Sequence, residues 1–150
     1  MLHTKVIDTN IEKILISRAE SFISSSKFGA SIYFIGTVRD INNDKIVKGI
    51  TYDAHDEMVI KSFENIYKDA DDKLKINDRA VFIEHVKGFV NLGEISIIIA
   101  VACKHRDQAY LLSRYFIEEI KKRSPIWKKE HYEKNESVWL KGNPILNEKN

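Results

Sequence analysis

The stretch from Ile95 to Cys103 constrains the fold more than any other part of this chain. Nearly all of its residues are apolar, and most are β-branched. A strand that faces water on one side alternates apolar and polar residues, whereas a strand covered on both faces reads as one apolar run. The stretch therefore predicts a central strand that is buried on both faces.

Three amphipathic helices are predicted from apolar residues that recur with a helical period. They cover about residues 9–25, 56–76 and 107–124. Thr9 and Glu12 have the spacing of a capping box and are expected to open the first helix. Asp107 is expected to cap the third helix. Pro125 is expected to end it, because proline lacks the amide hydrogen that a helix interior needs.

The other apolar runs have strand character. They cover about residues 30–36, 46–53, 80–86, 126–131 and 137–140, the last two as a hairpin. Gly88 and Gly93 are expected to bracket a turn or a short kinked segment, and residues 42–44 to form a turn or loop. Helices and strands do not alternate strictly in this order, which argues against a doubly wound parallel sheet. We therefore predict an α+β fold with a mixed, largely antiparallel sheet and about three helices.

Length and composition predict one domain. A chain of 150 residues with 43% hydrophobic residues can bury one sizeable core, and no linker divides it, so residues 1–150 are expected to form a single domain. The end of the chain, from Pro144 to Asn150, is expected to be disordered. The chain shows neither a run of about 20 apolar residues nor a signal-peptide core, so we expect a cytoplasmic protein. A single cysteine, Cys103, excludes an intrachain disulfide and a multi-cysteine metal site.

Positive charge is concentrated in the segment from Lys121 to Glu130, although the net charge is only +2. Five of its ten residues are cationic, and Pro125 and Trp127 distinguish it from a flexible polybasic tail. The segment predicts an anion-binding corner. Cations in the last turn of a helix are also favoured by the helix dipole without any function. That alternative applies above all to Lys122 and Arg123.

Two further cationic sites follow predicted strands. Arg39 comes directly after the strand that ends near Gly36, and His105 and Arg106 lie between the central strand and the third helix. Free backbone amides at a helix N-terminus attract anions, and arginine binds phosphate through charge-assisted hydrogen bonds. The alternative is that these are solvated loop charges.

These three motifs together resemble the large, catalytic subunit of molybdopterin synthase, the MoaE family. The resemblance spans roughly residues 5–140, and its most specific part is the pattern Lys-x-Arg-x-Pro-x-Trp-Lys at positions 121–128. It implies an α/β-hammerhead fold and a homodimer at the centre of a heterotetramer. It also implies a ubiquitin-like small partner subunit whose C-terminal Gly-Gly carries a thiocarboxylate. The implied reaction transfers two sulfurs to cyclic pyranopterin monophosphate and yields the dithiolene of molybdopterin.

The resemblance also implies roles for individual residues. Lys121 and Lys128 would be the catalytic pair. The substrate-binding residues would be Thr37, Val38, Arg39, His105, Arg106, Lys129 and Glu130. We expect the chain to bind neither a metal nor a cofactor of its own, because the sulfur arrives on the partner.

The chemistry of the implied reaction suits these residue types. Cations offset the repulsion between an anionic substrate and an anionic donor tail. A lysine surrounded by other cations has a lowered pKa and can transfer protons, whereas arginine stays charged.

One departure from the family pattern lies near the C-terminus. Relatives carry an arginine shortly after the tryptophan at the position of Trp139, and here Lys141 stands nearby instead. Two alternatives remain open from the sequence. One is a non-catalytic module that binds a nucleotide or RNA, which the modest net charge weighs against. The other is an inactive scaffold that uses the same basic corner.

Overall fold

The structure is a computed structural model that describes residues 1–134 and 137–140. Its helices are α1 (Ile16–Ile23), α2 (Asp56–Leu74) and α3 (Arg106–Arg123). Its strands are β1 (Leu2–Asp8), β2 (Ala30–Thr37), β3 (Ile41–Asn42), β4 (Lys45–Ala54), β5 (Arg79–Asn91), β6 (Ile95–Cys103), β7 (Ile126–Tyr132) and β8 (Val138–Trp139). The expected disorder of Pro144–Asn150 and any role of Lys141 lie outside the described residues.

The described strands form one mixed sheet of eight strands. Six follow the order β2-β6-β5-β4-β7-β8, while β1 pairs with β5 and β3 pairs with β4. The pairing of β1 with β5 is parallel, and the other pairings are antiparallel. The predicted α+β fold, with three helices and a largely antiparallel sheet of the α/β-hammerhead type, is confirmed.

The core has two layers, one on each face of the sheet. Helices α2 and α3 pack on one face, against the odd-numbered residues of β6 such as Ile97 and Ile99. Helix α1 packs on the other face, against the even-numbered residues Ile98 and Ala100. Successive side chains of a strand point to opposite faces, so a strand covered on both sides needs apolar residues throughout. The prediction of a buried central strand from Ile95 to Cys103 is thus confirmed.

The N-terminal prediction of a helix from Thr9 is wrong. Residues 2–8 form β1, which runs beside β5 in the register Leu2 to Val81 through Asp8 to Lys87. The backbone N–H of Thr9 donates to the carbonyl of Lys87, and the Glu12 carboxylate accepts from Lys5. Both groups of the apparent capping box therefore have partners in the sheet region, and α1 begins only at Ile16.

A buried carboxylate joins α1 and β1 to β5. Glu84 is fully buried and accepts a hydrogen bond at 2.9 Å from Arg18 of α1. The Nε2 atom of His3 lies 3.1 Å from its other oxygen, and the His3 ring stacks on Phe82 at 4.3 Å. A buried charge is tolerated only when it is paired. This group therefore fixes the position of the N-terminal elements on the central strands.

Strand β5 continues through Gly88, the first of the two glycines predicted to bracket a turn or a short kinked segment. Gly88 has a φ of +103° and pairs with Tyr52 of β4, and the chain turns only after Asn91. The first part of β5 pairs with β1 and β6, whereas its last residues pair with β4. A left-handed backbone at Gly88 thus lets one strand belong to both parts of the sheet.

The start of α3 also differs from the prediction. The N-cap position is occupied by His105 rather than Asp107, and the helix starts at Arg106. Asp107 lies in the first turn, where a carboxylate interacts favourably with the helix dipole. The end of α3 before Pro125 agrees with the prediction. Among the helices of the described residues, none is long and apolar enough to cross a membrane.

Gly88→Ala is expected to destabilise the protein more than Gly93→Ala. A Cβ at Gly88 would lie 2.2 Å from Oγ1 of Thr9, whereas a Cβ at Gly93, also at positive φ, meets no described atom within 4 Å. Backbone strain and overpacking together should lower the free energy of unfolding by about 2–5 kcal/mol for Gly88→Ala. Backbone strain alone should cost about 1–2 kcal/mol for Gly93→Ala. Urea denaturation measures both values.

The matched control for this comparison removes the clashing atom. Thr9→Ala combined with Gly88→Ala should restore most of the difference between the two glycine variants. Equal losses of stability for Gly88→Ala and Gly93→Ala would contradict the assigned close approach of β5 to the turn after β1.

Candidate active site

Three elements bring cations to one place. Arg39 follows the end of β2, Lys121 lies in the last turn of α3, and Lys128 lies in the middle of β7. Pro125 separates α3 from β7, so the chain returns as a strand and Lys128 approaches Lys121. The positive charges of Lys121 and Arg39 both lower the pKa of Lys128. Lys121 and Arg39 therefore lie near enough to Lys128 for their charges to act on its amino group.

The surroundings of Lys128 lower the pKa of its amino group. Burial is the main cause that lowers its pKa, followed by the charge of Lys121, while the Glu130 carboxylate raises it and Arg39 lowers it again. Lys128 stands directly opposite Tyr52 of β4 in the antiparallel register. A lysine whose pKa is lowered loses its proton more easily near neutral pH, which suits it for proton transfer.

Glu130 is a buried carboxylate that is held by neutral donors. Its side chain is 4% exposed. Asn42 donates from Nδ2 to both carboxylate oxygens at 2.9 Å, and the Tyr132 hydroxyl donates to Oε2 at 2.7 Å. Burial, together with the bond and the charge of Glu130, raises the pKa of Tyr132 to about 12. These bonds fix a negative charge beside the cations, so Glu130 balances the cluster electrostatically.

Thr37 and Val38 set the position of Arg39. Val38 is buried, its N–H donates to the carbonyl of Glu94, and its own carbonyl accepts from the N–H of Gly93. Thr37 ends β2, and its side chain is exposed. The backbone before Arg39 is thus anchored on both sides, while the guanidinium itself is exposed to solvent.

Lys129 points away from the amino group of Lys128. Neighbouring side chains of a strand lie on opposite faces of the sheet. Lys129 stands opposite Thr51, and its Nζ lies 5.8 Å from the centre of the Trp139 ring, a cation–π contact. Lys129 therefore does not converge with Lys128, and this geometry gives no support to its predicted substrate-binding role.

His105 and Arg106 lie at the other end of α3. The helix has 18 residues, and at a rise of 1.5 Å per residue Lys121 is roughly 24 Å from the N-cap residue His105. Helix α3 packs along β6 and β2. Two groups so far apart cannot hold one phosphate within a single chain. The structure therefore separates the predicted site residues into two groups.

The other helix-end cations differ in their surroundings. Arg123 donates to Asp69 of α2 at 2.7 Å, which is a structural ion pair between two helices. Lys122 is exposed to solvent. The interpretation of Arg123 as an ordinary helix-end charge agrees with this contact.

Two residues near Lys128 were not singled out from the sequence. Tyr52 faces Lys128 across the strand pair, and its hydroxyl lies near Ser96. The ring of His85 contacts Tyr52 edge to face at 5.0 Å. Burial raises the pKa of Tyr52 and lowers that of His85 to about 4. The one signal in the sequence is a polar histidine near the end of an apolar strand, which usually indicates a core residue.

Comparison with known proteins identifies the family. The family model described as "MoaE protein" matches residues 9–123. The molybdopterin synthase catalytic subunit of Synechococcus elongatus is 34% identical over 143 residues, which are 95% of this chain and 86% of that protein. The subunit of the same name from Pyrococcus abyssi is 37% identical over 131 residues, which are 87% of this chain and 86% of that protein.

Solved structures agree with this result. Molybdopterin synthase from Staphylococcus aureus superposes with a TM-score of 0.82 at 30% identity and covers 91% of this chain and 95% of its own. The complex of subunits 1 and 2 of the molybdopterin-converting factor from Helicobacter pylori has a TM-score of 0.69 at 26% identity. That match covers 93% of this chain and 91% of its own. On the strength of sequence, motifs and fold together, the chain belongs to the MoaE family.

Proposed function

We propose that this chain is the catalytic subunit of a molybdopterin synthase and acts as a sulfurtransferase. The substrate would be cyclic pyranopterin monophosphate and the product molybdopterin. The observation that carries the proposal is the cluster of Arg39, Lys121 and Lys128, in which burial and two neighbouring charges lower the pKa of one lysine. The names of the relatives support the same activity.

Each cation of the cluster has a distinct task in this reaction. The exposed guanidinium of Arg39 is suited to bind the phosphate in a bidentate manner. The charge of Lys121 offsets the repulsion between the phosphate and the incoming thiocarboxylate. Lys128 is suited to move a proton when the cyclic phosphate opens, because burial and neighbouring charges lower the pKa of its amino group. The sulfur itself comes from the partner, and the only cysteine, Cys103, is buried in the core.

The partner in this proposal is a ubiquitin-like small subunit with a C-terminal Gly-Gly thiocarboxylate. The similar fold from Helicobacter pylori was solved as a complex of two subunits of the converting factor, which supports a small-subunit partner. Its anionic tail would enter the cation cluster, where its charge is balanced.

A second copy of this chain would complete the site. Lys121 and the pair His105–Arg106 lie at opposite ends of α3, roughly 24 Å apart by the helical rise. Both ends carry exposed cations, and the basic N-terminal end of α3 also offers free backbone amides for an anion. We infer that His105 and Arg106 of one copy serve the Lys128 site of the other. This arrangement corresponds to a homodimer within a heterotetramer.

Lys121→Ala and Lys128→Ala are each expected to lower the rate of dithiolene formation by about 100-fold or more. The assay mixes the purified protein with thiocarboxylated small subunit and cyclic pyranopterin monophosphate. Lys128→Arg should be nearly as inactive as Lys128→Ala, because arginine keeps the charge but does not release a proton.

The matched control is Lys122→Ala, which removes an exposed cation from the same helical turn and should retain activity close to that of the wild type. Full activity in Lys121→Ala or Lys128→Ala, with an intact fold and partner complex, would refute the assignment of the two lysines.

Mixing two inactive variants tests the shared site. One chain carries Lys128→Ala and the other carries His105→Ala with Arg106→Ala. Random reassociation after mild denaturation makes half of the dimers mixed, and each mixed dimer has one complete site if residues are shared between copies. About a quarter of the wild-type activity should return. If each copy forms its own site, no mixed dimer contains an intact site, and activity should stay at the level of the separate variants.

A further inference from the structure

The hairpin of β3 and β4 begins directly after Arg39. Its two strands are joined by Asn43 and Asp44, whose φ angles are +49° and +61°. Two successive residues with positive φ are typical of the tight turns that twist with the strands they join. The N–H of Val47 donates to the carbonyl of Asp40 at 2.8 Å. The first arm of the hairpin, β3, is therefore folded back on β4 within a few residues of Arg39.

Strand β3 is the short outer arm of this hairpin. Its two residues, Ile41 and Asn42, pair with Ile46 and Lys45 of β4. A ladder as short as this is weak on its own. Strand β4 is secured further by its pairing with β7. The position of β3, and of Arg39 before it, therefore depends on additional contacts.

The side chain of Asn42 supplies such a contact. Its Nδ2 donates to both carboxylate oxygens of Glu130 at 2.9 Å, and Glu130 is buried. A hydrogen bond to a charged acceptor is stronger than one between neutral groups. Glu130 follows Lys128 by two residues on β7, so both side chains point to the same face of the sheet, with their backbones roughly 7 Å apart. Asn42 thus ties the outer arm of the hairpin to the strand position next to Lys128.

Arg39 lies between two anchored points of the chain. On one side, the N–H and the carbonyl of Val38 both bond to the turn between β5 and β6. On the other side, Asn42 bonds to Glu130. The guanidinium of Arg39 is exposed and can meet an anion that arrives from solvent. A side chain whose backbone is already fixed loses less conformational entropy when it binds a ligand.

We propose that Asn42 is a positioning residue for Arg39, because its hydrogen bonds to Glu130 hold the β3 arm on β7 and so keep the guanidinium beside Lys128. The binding of phosphate by Arg39 belongs to the proposed function, and in that respect the role of Asn42 rests on it. The tie between the hairpin and β7 is a property of the folded chain and can be measured without the reaction.

Hydrogen exchange measures the tie in the protein without substrate. Asn42→Asp keeps the shape of the side chain but turns the donor into a second carboxylate that faces Glu130. The amide of Val47, which is bonded to Asp40, should then exchange about 10-fold faster or more, because the outer arm opens. The matched control Asn43→Asp adds the same charge to an exposed side chain of the same hairpin and should exchange as the wild type does. Equal rates in the two variants, or an equal acceleration of the amides of β6, would overturn the proposal.

A double variant restores the tie with its direction reversed. When Asn42→Asp is combined with Glu130→Gln, the introduced amide at position 130 can donate to the introduced carboxylate at position 42. The exchange rate of the Val47 amide should return to within about 3-fold of the wild-type rate. A double variant that exchanges as fast as Asn42→Asp alone would show that this side-chain bond does not hold the arm.

Steady-state kinetics test what the tie does for Arg39. A phosphate contact that is made before and during the reaction contributes to KM rather than to kcat. Asn42→Asp should therefore raise KM for cyclic pyranopterin monophosphate by about 10-fold and leave kcat nearly unchanged. Asn43→Asp should match the wild type in both constants. A fall in kcat at unchanged KM would indicate a loss of active protein instead of a misplaced guanidinium and would contradict the role of Asn42, as would an unchanged KM.

The two kinds of measurement also separate the role of Asn42 from the proposed function. If the wild-type protein makes no dithiolene with its partner and substrate, the proposed function fails, and hydrogen exchange still decides whether Asn42 holds the hairpin on β7. If the wild type is active and Asn42→Asp has the same KM, the proposed function stands and the role of Asn42 is refuted.

Discussion

Strand β5 is the element on which the rest of the structure depends. Its first part is paired with β1 and β6, and its end, beyond Gly88, is paired with β4. Strand β4 in turn carries β7, and β7 carries Lys128. The left-handed conformation of Gly88 therefore determines how the two parts of the sheet meet. The candidate site lies where they meet, because Tyr52 belongs to one part and His85 to the other.

The site is held together by a balance of charge and burial. A cluster of cations alone would repel itself, and a buried carboxylate alone would be costly. Asn42 and Tyr132 hold Glu130 in place through hydrogen bonds. Both are uncharged, so the negative charge of Glu130 still acts on Lys128. Arg39 and Lys121 act on the same amino group with the opposite sign. The pKa of Lys128 thus depends on charges of both signs. A further anion beside it, such as a substrate phosphate or a thiocarboxylate, would raise that pKa.

Sequence reasoning predicted the elements whose pattern is local and missed those whose partners are distant. The apolar run of β6, the stripes of α2 and α3, and the stop at Pro125 are visible in neighbouring residues. A helix was predicted from Thr9 because Thr9 and Glu12 have capping-box spacing. In the structure the N–H of Thr9 bonds to Lys87 of β5 and the Glu12 carboxylate bonds to Lys5 of β1. A glycine with positive φ inside a strand cannot be told from a turn glycine by its neighbours.

The cationic residues of the site could be named from the sequence, because their motifs are local, but their spatial arrangement could not. Lys121, Lys128 and Arg39 were named from motifs, and the structure brings them together. The separation of His105 and Arg106 from them follows from the length of α3. The burial of His85 and the support that Asn42 gives to Glu130 depend on contacts across many residues. A linear pattern does not record such contacts.

The parallel pairing of β1 with β5 has a consequence for synthesis. Leu2 leaves the ribosome well before Val81, its neighbour in the sheet, and β6, another partner of β5, follows later still. Pairings between distant segments form slowly, because the intervening chain must lose its freedom first. During translation β1 therefore stays without its partner strand until β5 has emerged. Strand β1 is thus made long before the strand that holds it in the sheet.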